Sequence, residues 1–245
     1  MTPAAALVNS AARLYRRSGA FPFRFAQGKL RHDPVVVDIL FLNCLSHASQ
    51  SPIRLLDLGC GQGLLFAVMD ASMRQMGGVP CKDGRAGQPA VAYARGYDVA
   101  PVNVRWGQSM LANRQQPNFQ AQIEVADIRT LELPECDVVV AIDVLHYLSF
   151  GEQEKLLLRI SEALAPGGRL VLRIGDAEQL RASRISRWVD RVVAKVRGQG
   201  WAPLWMRPLL DWQGVLQRLG FAVTQVKTYR SWGSVNVLVV ADKCN

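Results

Sequence analysis

Short apolar runs alternate with segments of helical periodicity along most of this chain. Runs bounded by Gly, Pro or polar residues predict strands, whereas apolar residues spaced three and four apart predict helices. Five strand–helix units followed by a closing strand pair predict an α/β fold with a mostly parallel, doubly wound sheet and an antiparallel edge. The expected strands lie at 53–58, at a run ending in Asp98, and at 120–125, 137–142, 169–174, 221–228 and 235–241.

The helices are predicted from the same periodicity and from residues that favour helix ends. Asp33 followed by Pro34 is a good start for one helix, and Ser149 with Glu152 forms a capping box for another. The expected helices lie at 3–17, 34–46, 64–76, 101–113, from Ser149 to a point before Pro166, 177–197 and 211–219. The glycine-rich stretch 77–89 is expected to be a loop.

The segment 54–65 joins a predicted strand to a predicted helix through a glycine-rich loop. An apolar run ends in Asp57, and Gly59, Gly61 and Gly63 follow at alternate positions. Glycine permits φ above zero and lets a ligand lie against the bare main chain. The start of the next helix offers free N–H groups and a positive dipole end, so this loop predicts a ligand site.

The spacing of these glycines separates two classes of cofactor. A dinucleotide-binding loop reads G-x-G-x-x-G/A and would require Gly or Ala where this chain has Leu64. The string Asp-Leu-Gly-Cys-Gly-x-Gly at 57–63 instead resembles the first motif of class I S-adenosylmethionine-dependent methyltransferases. Leu-Ala-Pro-Gly-Gly at 164–168 is similar to a further hallmark of that family. The resemblance implies S-adenosyl-L-methionine as the cofactor.

The resemblance runs from about residue 50 to the end of the chain and implies the fold of that family. Such a sheet has seven strands in the order 3-2-1-4-5-7-6, with strand 7 antiparallel. Residues 1–49 lie outside the resemblance and are expected to form a helical extension or lid. A helical insertion over the substrate is expected at 177–205, within a methyltransferase domain at 50–245.

The ends of the predicted strands supply the cofactor-binding candidates, because ligands of open α/β sheets bind beyond the carboxyl ends of the strands. The resemblance places the methionine part at the glycine loop, the ribose at Asp98 and the adenine at Asp127. A carboxylate suits a ribose diol because it accepts two hydrogen bonds, although Asp98 follows Asp57 by 41 residues where about 20 is usual. A helix cap is the alternative role for Asp98. The candidates are Asp57, Gly59, Cys60, Gly61, Gly63, Asp98, Val99, Asp127, Ile128 and Ile142.

The segment after the fourth strand carries candidate catalytic residues. It reads Ala-Ile-Asp-Val-Leu-His-Tyr-Leu at 141–148 and is similar to the motif beneath the sulfonium in many small-molecule methyltransferases. Methyl transfer is an in-line displacement, and a hydroxyl or amine acceptor must also lose a proton to a base. His146 is the first candidate for that base, followed by Asp143 and Tyr147; a structural role for His146 is the alternative.

Cysteine usage and hydropathy indicate the cellular compartment in which the protein is expected to act. The five cysteines are scattered without a C-x-x-C pair, so neither a disulfide framework nor a metal site is expected, and a cytoplasmic location is the default. The first residues do not fit a secretory signal and are expected to form an amphipathic helix, with an organellar transit peptide as the alternative. No apolar run reaches the length of a membrane span.

The net charge of +9 is concentrated in two segments. Residues 1–34 and 177–210 each carry +5, which leaves −1 for the rest of the chain. This distribution favours an anionic substrate or partner, although solvated helix faces would give the same pattern. The substrate-contact candidates, for which surface placement or packing is the alternative, are Lys29, Arg31, Trp188, Trp201 and Trp205.

These features predict an enzyme that transfers a methyl group, at oxygen, to a small or acyl-carrier-protein-bound organic acceptor. An RNA methyltransferase whose basic segments bind phosphates is the first alternative. A non-catalytic cofactor-binding partner subunit is the second, since a glycine loop indicates binding and not turnover. The strand-four segment lacks the Asn/Asp-Pro-Pro-aromatic string of adenine-amino methyltransferases and the paired glutamates of protein-arginine methyltransferases. Pro80-Cys81 falls in a predicted loop and does not fit the nucleophile of cytosine C5 enzymes.

Overall fold

The computed structural model describes residues 2–42, 44–45, 53–76, 91–114, 119–180, 204–231 and 234–244. Its strands are β1 (Ile53–Leu58), β2 (Val91–Asp98), β3 (Gln120–Val125), β4 (Cys136–Ile142), β5 (Leu164–Gly175), β6 (Phe221–Ser231) and β7 (Ser234–Lys243). They form a seven-stranded sheet in the order β3-β2-β1-β4-β5-β7-β6. β1 is parallel to β2 and β4, β2 is parallel to β3, and β7 is antiparallel to β5 and β6. The predicted fold class and strand order are confirmed.

Helices flank this sheet. Those described are α1 (Pro3–Arg13), α2 (Ala20–His32), α3 (Val35–Phe41), α4 (Leu64–Met76), α5 (Pro101–Ala112), α6 (Phe150–Ala163), α7 (Ala177–Leu180) and α8 (Leu209–Arg218), with 3-10 turns at Leu14–Ser18 and Leu145–Tyr147. The capping box predicted for α6 is present, because Ser149 Oγ accepts from the N–H of Glu152 while the Glu152 carboxylate accepts from the N–H of Ser149.

Contacts within the chain define two units, Met1–Val140 and Ala141–Asn245. In the first unit β1 is buried along its length apart from the half-buried Arg54, as expected of a central strand covered on both faces. α4 is buried on most of its surface, and α1 packs against α4 and α2. Complete burial of a side chain such as Phe66 in α4 contributes roughly 1.5–3 kcal/mol relative to its exposure.

In the second unit β5, β7 and β6 form an antiparallel set, and α8 packs against β6. Two amphipathic helices bury one face each, with the spacing of a 3.6-residue period. The buried residues of α6 include Leu156, Leu157 and Ile160, and those of α8 are Trp212, Val215 and Leu216. The expected division into an extension at 1–49 and a domain at 50–245 stays a prediction.

The N-terminal segment differs from its prediction. The single helix expected at 3–17 is shorter and continues as a 3-10 turn, and α2 spans residues for which no helix was predicted. Gly28 inside α2 and Pro22 in its first turn obscured the pattern, because both residue types are poor in helix interiors. The signal was present, since Pro22, Ala26 and Leu30 recur every four residues and form the buried face of α2.

Other boundaries shift by a few residues. The helix predicted at 34–46 ends at Phe41. Asp33 is the C-cap of α2, and its Oδ1 also accepts from the N–H of Val35 at 3.3 Å, so it serves the helices on both sides. β5 begins before the predicted 169–174, but its pairing with β7 starts at Arg169.

The predicted helix at 177–197 is described only as α7. The rest of it, together with Trp188 and Trp201, lies outside the described residues. Within the described ranges, none of the helices combines the length and the apolar character that a membrane crossing requires.

Candidate active site

The loop between β1 and α4 is held in a left-handed backbone conformation by its three glycines. Gly59, Gly61 and Gly63 have φ values of 75°, 58° and 78°, which other residues adopt only with strain. A Cβ at Gly63 would also lie 2.5 Å from Cδ1 of Ile123. Both the backbone conformation and the lack of space therefore favour glycine at this position. A Cβ at Gly61 would meet nothing within 4 Å, and a ligand can therefore approach the bare main chain there.

The end of β2 fixes this loop through hydrogen bonds. The N–H groups of Gly59 and Cys60 both donate to the carbonyl of Tyr97, at 2.8 and 3.0 Å. The N–H of Gly61 donates to Asp98 Oδ2 at 2.9 Å, while Asp98 Oδ1 accepts from the N–H of Ala100 at 2.9 Å. Asp98 therefore holds the glycine loop and accepts from the N-cap residue of α5, while its ribose role stays a prediction.

Asp57 is the buried acid at the end of β1. Asp57 is only 4% exposed. Burial and, secondarily, the negative charge of Asp98 raise the pKa of Asp57 to about 7. Burial together with Asp57 and Asp98 also raises the pKa of the neighbouring Cys60 thiol, which stays protonated and is no nucleophile. The proton of Asp57 can consequently be gained or lost near neutral pH.

The N-terminal segment bonds directly to the glycine loop through residues that no sequence motif indicates. Tyr15 is fully buried, and its hydroxyl donates to the carbonyl of Gln62 at 2.7 Å. The Gln62 side-chain amide donates to the carbonyl of Pro22 at 3.1 Å. Burial, followed by Cys60 and Asp57, raises the pKa of Tyr15, so its hydroxyl remains a donor. Gln62 occupies the variable position of the motif, and for this reason it was not singled out.

The adenine candidates follow β3. Asp127 forms a two-pronged ion pair with Arg129, whose Nε lies 3.0 Å from Oδ1 and whose Nη2 lies 2.6 Å from Oδ2. Asp127 Oδ1 also accepts from the backbone N–H of Arg129 at 2.9 Å, which fixes the carboxylate orientation. Ile128 is 7% exposed, whereas Val99 beyond β2 is 52% exposed. These placements leave the adenine role of Asp127 and Ile128 as a prediction.

In the second unit, Asp143 follows the half-buried Ile142 at the end of β4. Asp143 has φ of 56°, the one positive value among the described residues other than glycine. Its carboxylate is bound by both arms of the Arg173 guanidinium, with Nε at 2.6 Å from Oδ1. Arg173 on β5 is 3% exposed, and a buried guanidinium requires such a partner. This ion pair favours a positioning role for Asp143 over the predicted role as a base.

His146 and Tyr147 lie together in the 3-10 turn that follows. Their ring centroids are 4.2 Å apart. The carbonyl of His146 accepts from the N–H of Trp205 at 2.9 Å, and the Trp205 ring meets the Phe150 ring edge-on at 5.1 Å. Of the three tryptophans predicted to contact substrate, the one that is described therefore lies beside the predicted base.

A buried glutamine, which no sequence motif indicates, organises this turn. Gln153 is 0% exposed. Its amide donates to the carbonyls of Leu145 and Leu148, each at 3.0 Å, and to that of Trp205 at 2.8 Å. Gln153 Oε1 accepts from Arg207 Nε at 3.0 Å. Gln153 consequently joins the turn to the segment 204–208.

Lys29 and Arg31 lie in the last turn of α2 and have partners within the N-terminal segment. Lys29 Nζ lies 2.7 Å from Asp33 Oδ2. Arg31 Nη2 lies 3.2 Å from Asn9 Oδ1. Their predicted contacts with substrate stay a prediction. Across the residues with described positions, no cluster of three or more His, Cys, Asp or Glu is suited to a metal ion.

Fold and site together define a class of protein. A seven-stranded sheet of this order, with a left-handed glycine loop after β1 and acids at the ends of β1 and β2, has the arrangement of class I methyltransferases. A family model described as a methyltransferase domain matches residues 34–226. The chain therefore belongs to this methyltransferase family. The predicted class, its enzymatic nature and its cofactor, S-adenosyl-L-methionine, are confirmed at the level of the family.

Two curated relatives share part of the sequence. Carboxy-S-adenosyl-L-methionine synthase from Psychrobacter arcticus is 29% identical over 119 residues, which cover 49% of this chain and 40% of the relative. The protein of the same name from a further Psychrobacter strain is 30% identical over 141 residues, which cover 56% of this chain and 47% of the relative. The chain thus spans less than half the length of these curated relatives.

A solved structure with the same fold is magnesium protoporphyrin IX methyltransferase from Synechocystis PCC 6803, with bound SAM. The two chains superpose with a TM-score of 0.61 at 15% identity, over 89% of this chain and 83% of the other. A likeness at this identity concerns the fold, and the substrate of this chain must be argued from its own residues.

Proposed function

We propose that this protein transfers the methyl group of S-adenosylmethionine to an oxygen of a small or carrier-tethered organic acceptor. The observation that carries the proposal is the hydrogen bond between Gly61 and Asp98, which joins the glycine loop to the acid at the end of β2. It keeps the main chain of the loop beside a carboxylate, as binding of a nucleoside with an amino-acid tail requires.

Each part of the cofactor has a candidate partner in the first unit. The N-terminus of α4 suits its carboxylate, because a helix N-terminus favours negative charge. Asp57 suits its ammonium group, and ionisation of Asp57 would then accompany binding. Asp98 Oδ1 accepts from Ala100 and Asn103 and Oδ2 accepts from Gly61, so a lone pair of Oδ2 suits a ribose hydroxyl.

The second unit supplies the groups proposed to act on the acceptor. When bound, the cofactor supplies an electrophilic methyl group on a sulfonium. His146 accepts the proton of the acceptor hydroxyl, which increases the nucleophilicity of the oxygen as it attacks. Gln153 and the Asp143–Arg173 pair hold the turn that carries His146, so that positioning contributes to the rate together with proton transfer.

Two other functions remain as outcomes of the test. An RNA methyltransferase would use the basic segments for phosphate binding, and its affinity for RNA would fall steeply with added salt. A non-catalytic partner subunit would bind the cofactor without turnover. The two curated relatives are synthases of carboxy-S-adenosyl-L-methionine by name, so formation of that compound is a third outcome.

The test is an acceptor screen with S-adenosylmethionine labelled in its methyl group. Hydroxyaryl compounds, carboxylates, acyl groups on a holo acyl carrier protein, and RNA are each incubated with the wild type and with Asp98→Ala. Label in a small or carrier-bound acceptor, absent with Asp98→Ala, supports the proposal. Label in RNA alone, cofactor binding without label, or a carboxylated cofactor detected by mass spectrometry would each replace it.

A further inference from the structure

An exposed aromatic cluster lies on α2 and α5. Phe21 is 63% exposed, Phe25 is 37% exposed, and Val102 on α5 is 38% exposed. The rings of Phe21 and Phe25 stack with centroids 6.3 Å apart, and the Phe21 ring lies 5.3 Å from that of Trp106. Isolated exposed apolar side chains are common, but a contiguous group of this kind marks an interaction surface.

The charges beside this cluster have one sign. Exposed Arg24 lies between the two phenylalanines in sequence, and exposed Arg105 precedes Trp106. Neither α1, α2 nor α5 contains an Asp or a Glu. A surface without acids on any of its helices attracts an acidic partner over long range. The α2–α5 face is defined here as Phe21, Arg24, Phe25, Val102, Arg105 and Trp106.

Both helices of the α2–α5 face contact the glycine loop. On α2, the carbonyl of Pro22, next to Phe21, accepts from Gln62 at 3.1 Å. On α5, Gly107 follows Trp106, and a Cβ at Gly107 would lie 3.1 Å from the Gln62 carbonyl oxygen. Helices α2 and α5 consequently connect this face to the loop assigned to the cofactor.

We infer that the α2–α5 face docks an acidic protein that carries the methyl acceptor. The inference rests on the proposed function and names the partner of that site. Aromatic residues and arginine, rather than lysine, are the residue types enriched in protein–protein interfaces, and clustered aromatics with Arg supply most of the binding energy there. Carboxylates on the partner complement Arg24 and Arg105, while an apolar side chain on it covers Phe21.

Two other macromolecules fit this face less well. A helix that lies in a membrane surface inserts a whole apolar face, whereas the apolar stripe Pro22, Ala26 and Leu30 of α2 is already buried in the fold. Single-stranded RNA binds by stacking each base on a separate aromatic ring, whereas the ring of Phe21 already packs against those of Phe25 and Trp106.

The experiment measures binding of a recombinant holo acyl carrier protein, an oligoribonucleotide and phosphatidylglycerol vesicles to the full chain. The variants are Phe21→Ser and Arg24→Glu. The matched controls are Phe41→Ser, which alters a phenylalanine 38% exposed on α3, and Arg218→Glu, which reverses an exposed charge on α8. Thermal melting of each variant establishes that it folds.

The carrier protein is expected to bind more weakly at higher salt, and each face variant should weaken this binding at least about tenfold, with both controls unchanged. Carrier-protein binding that is absent, or that Phe21→Ser leaves unaltered, would overturn the inference. RNA or vesicle binding that the face variants abolish would overturn it in favour of that ligand. Calorimetry with S-adenosylmethionine separates the two proposals: unchanged cofactor affinity in the face variants leaves the proposed function standing, whereas no affinity in the wild type removes it.

Discussion

The glycine loop and the turn after β4 are held in place by different kinds of bond. At the glycine loop, backbone N–H groups donate to the end of the adjacent strand β2. At the turn, long side chains supply the bonds: Arg173 binds Asp143, and Gln153 binds the backbone of the turn. The glycine loop consequently follows from a short contiguous motif and the end of a neighbouring strand, whereas the turn depends on two long side chains supplied by β5 and α6.

The largest effect is expected from Asp98→Ala, which removes an acceptor of the loop N–H and the proposed ribose contact together. Hydrogen bonds to charged groups are worth about 1.5–3 kcal/mol each, so cofactor affinity should fall at least about 100-fold. Asp98→Asn keeps the size of the side chain without its charge and should give an intermediate loss. Isothermal titration calorimetry measures both, and unchanged affinity in Asp98→Ala would show that the ribose assignment is wrong.

His146→Ala tests the other region. Loss of a general base should lower kcat about 100-fold while cofactor affinity stays the same, because His146 belongs to the turn and not to the glycine loop. Steady-state kinetics with the acceptor found in the screen provide the measurement. Partial recovery of activity with added imidazole would support the base role, whereas full activity in the variant would exclude it.

Asp57 should make both stability and cofactor affinity depend on pH. Its folded pKa of about 7 lies above the usual value of 3.8, so the folded state binds more protons than the unfolded state between these values. Its contribution to the free energy of unfolding therefore falls as pH rises from about 4 to 7, by up to about 1.4 kcal/mol per pH unit. Asp57→Asn should remove this dependence and raise the melting temperature of the ligand-free protein more at pH 8 than at pH 5.

The raised pKa of Asp57 also predicts how the affinity for S-adenosylmethionine depends on pH. If the ionised form of Asp57 binds the cofactor ammonium, affinity should fall by up to about tenfold per pH unit below 7, and Asp57→Asn should bind weakly at every pH. Asp211→Asn, at an exposed acid of α8, is the control. Equal pH profiles for Asp57→Asn and the wild type would contradict the assignment.

The smallest effect is expected from Tyr15→Phe, which deletes only the 2.7 Å bond to the Gln62 carbonyl. The net worth of such a bond is about 1 kcal/mol, so cofactor affinity should fall a few-fold. Tyr229→Phe, in the second unit, is the control. No change in affinity would show that the N-terminal segment leaves the loop geometry unaffected.

The sequence predicted the sheet better than the helices before it. The bounds of β1, β3 and α4 agree with the structure, because continuous apolar runs and glycine boundaries are strong local signals. α2 was missed because Pro22 and Gly28 have low helix propensity, although Pro22 follows the helical periodicity, and burial against α1 outweighs that low propensity.

The candidate site shows the same contrast between local sequence signals, which were recognised, and long-range contacts, which were not. The glycine loop and Asp98 were found from a motif and a strand end. Tyr15 reaches Gln62 across 47 residues of sequence, Arg173 reaches Asp143 across 30, and Gln153 reaches Trp205 across 52. No local pattern reports such contacts, because they depend on how distant elements pack together.

Ile123 of β3 restricts which residues can replace two glycines, Gly63 and Gly107. Cδ1 of Ile123 would lie 2.5 Å from a Cβ at Gly63 and 2.7 Å from one at Gly107. Alanine favours a helix interior over glycine by about 1 kcal/mol. A shorter residue at 123 would remove the closest of the contacts at Gly107, and a small shift of the Gln62 carbonyl, 3.1 Å away, would then admit alanine there. In an alignment of homologues, alanine in the column of Gly107 should therefore accompany valine or alanine in the column of Ile123.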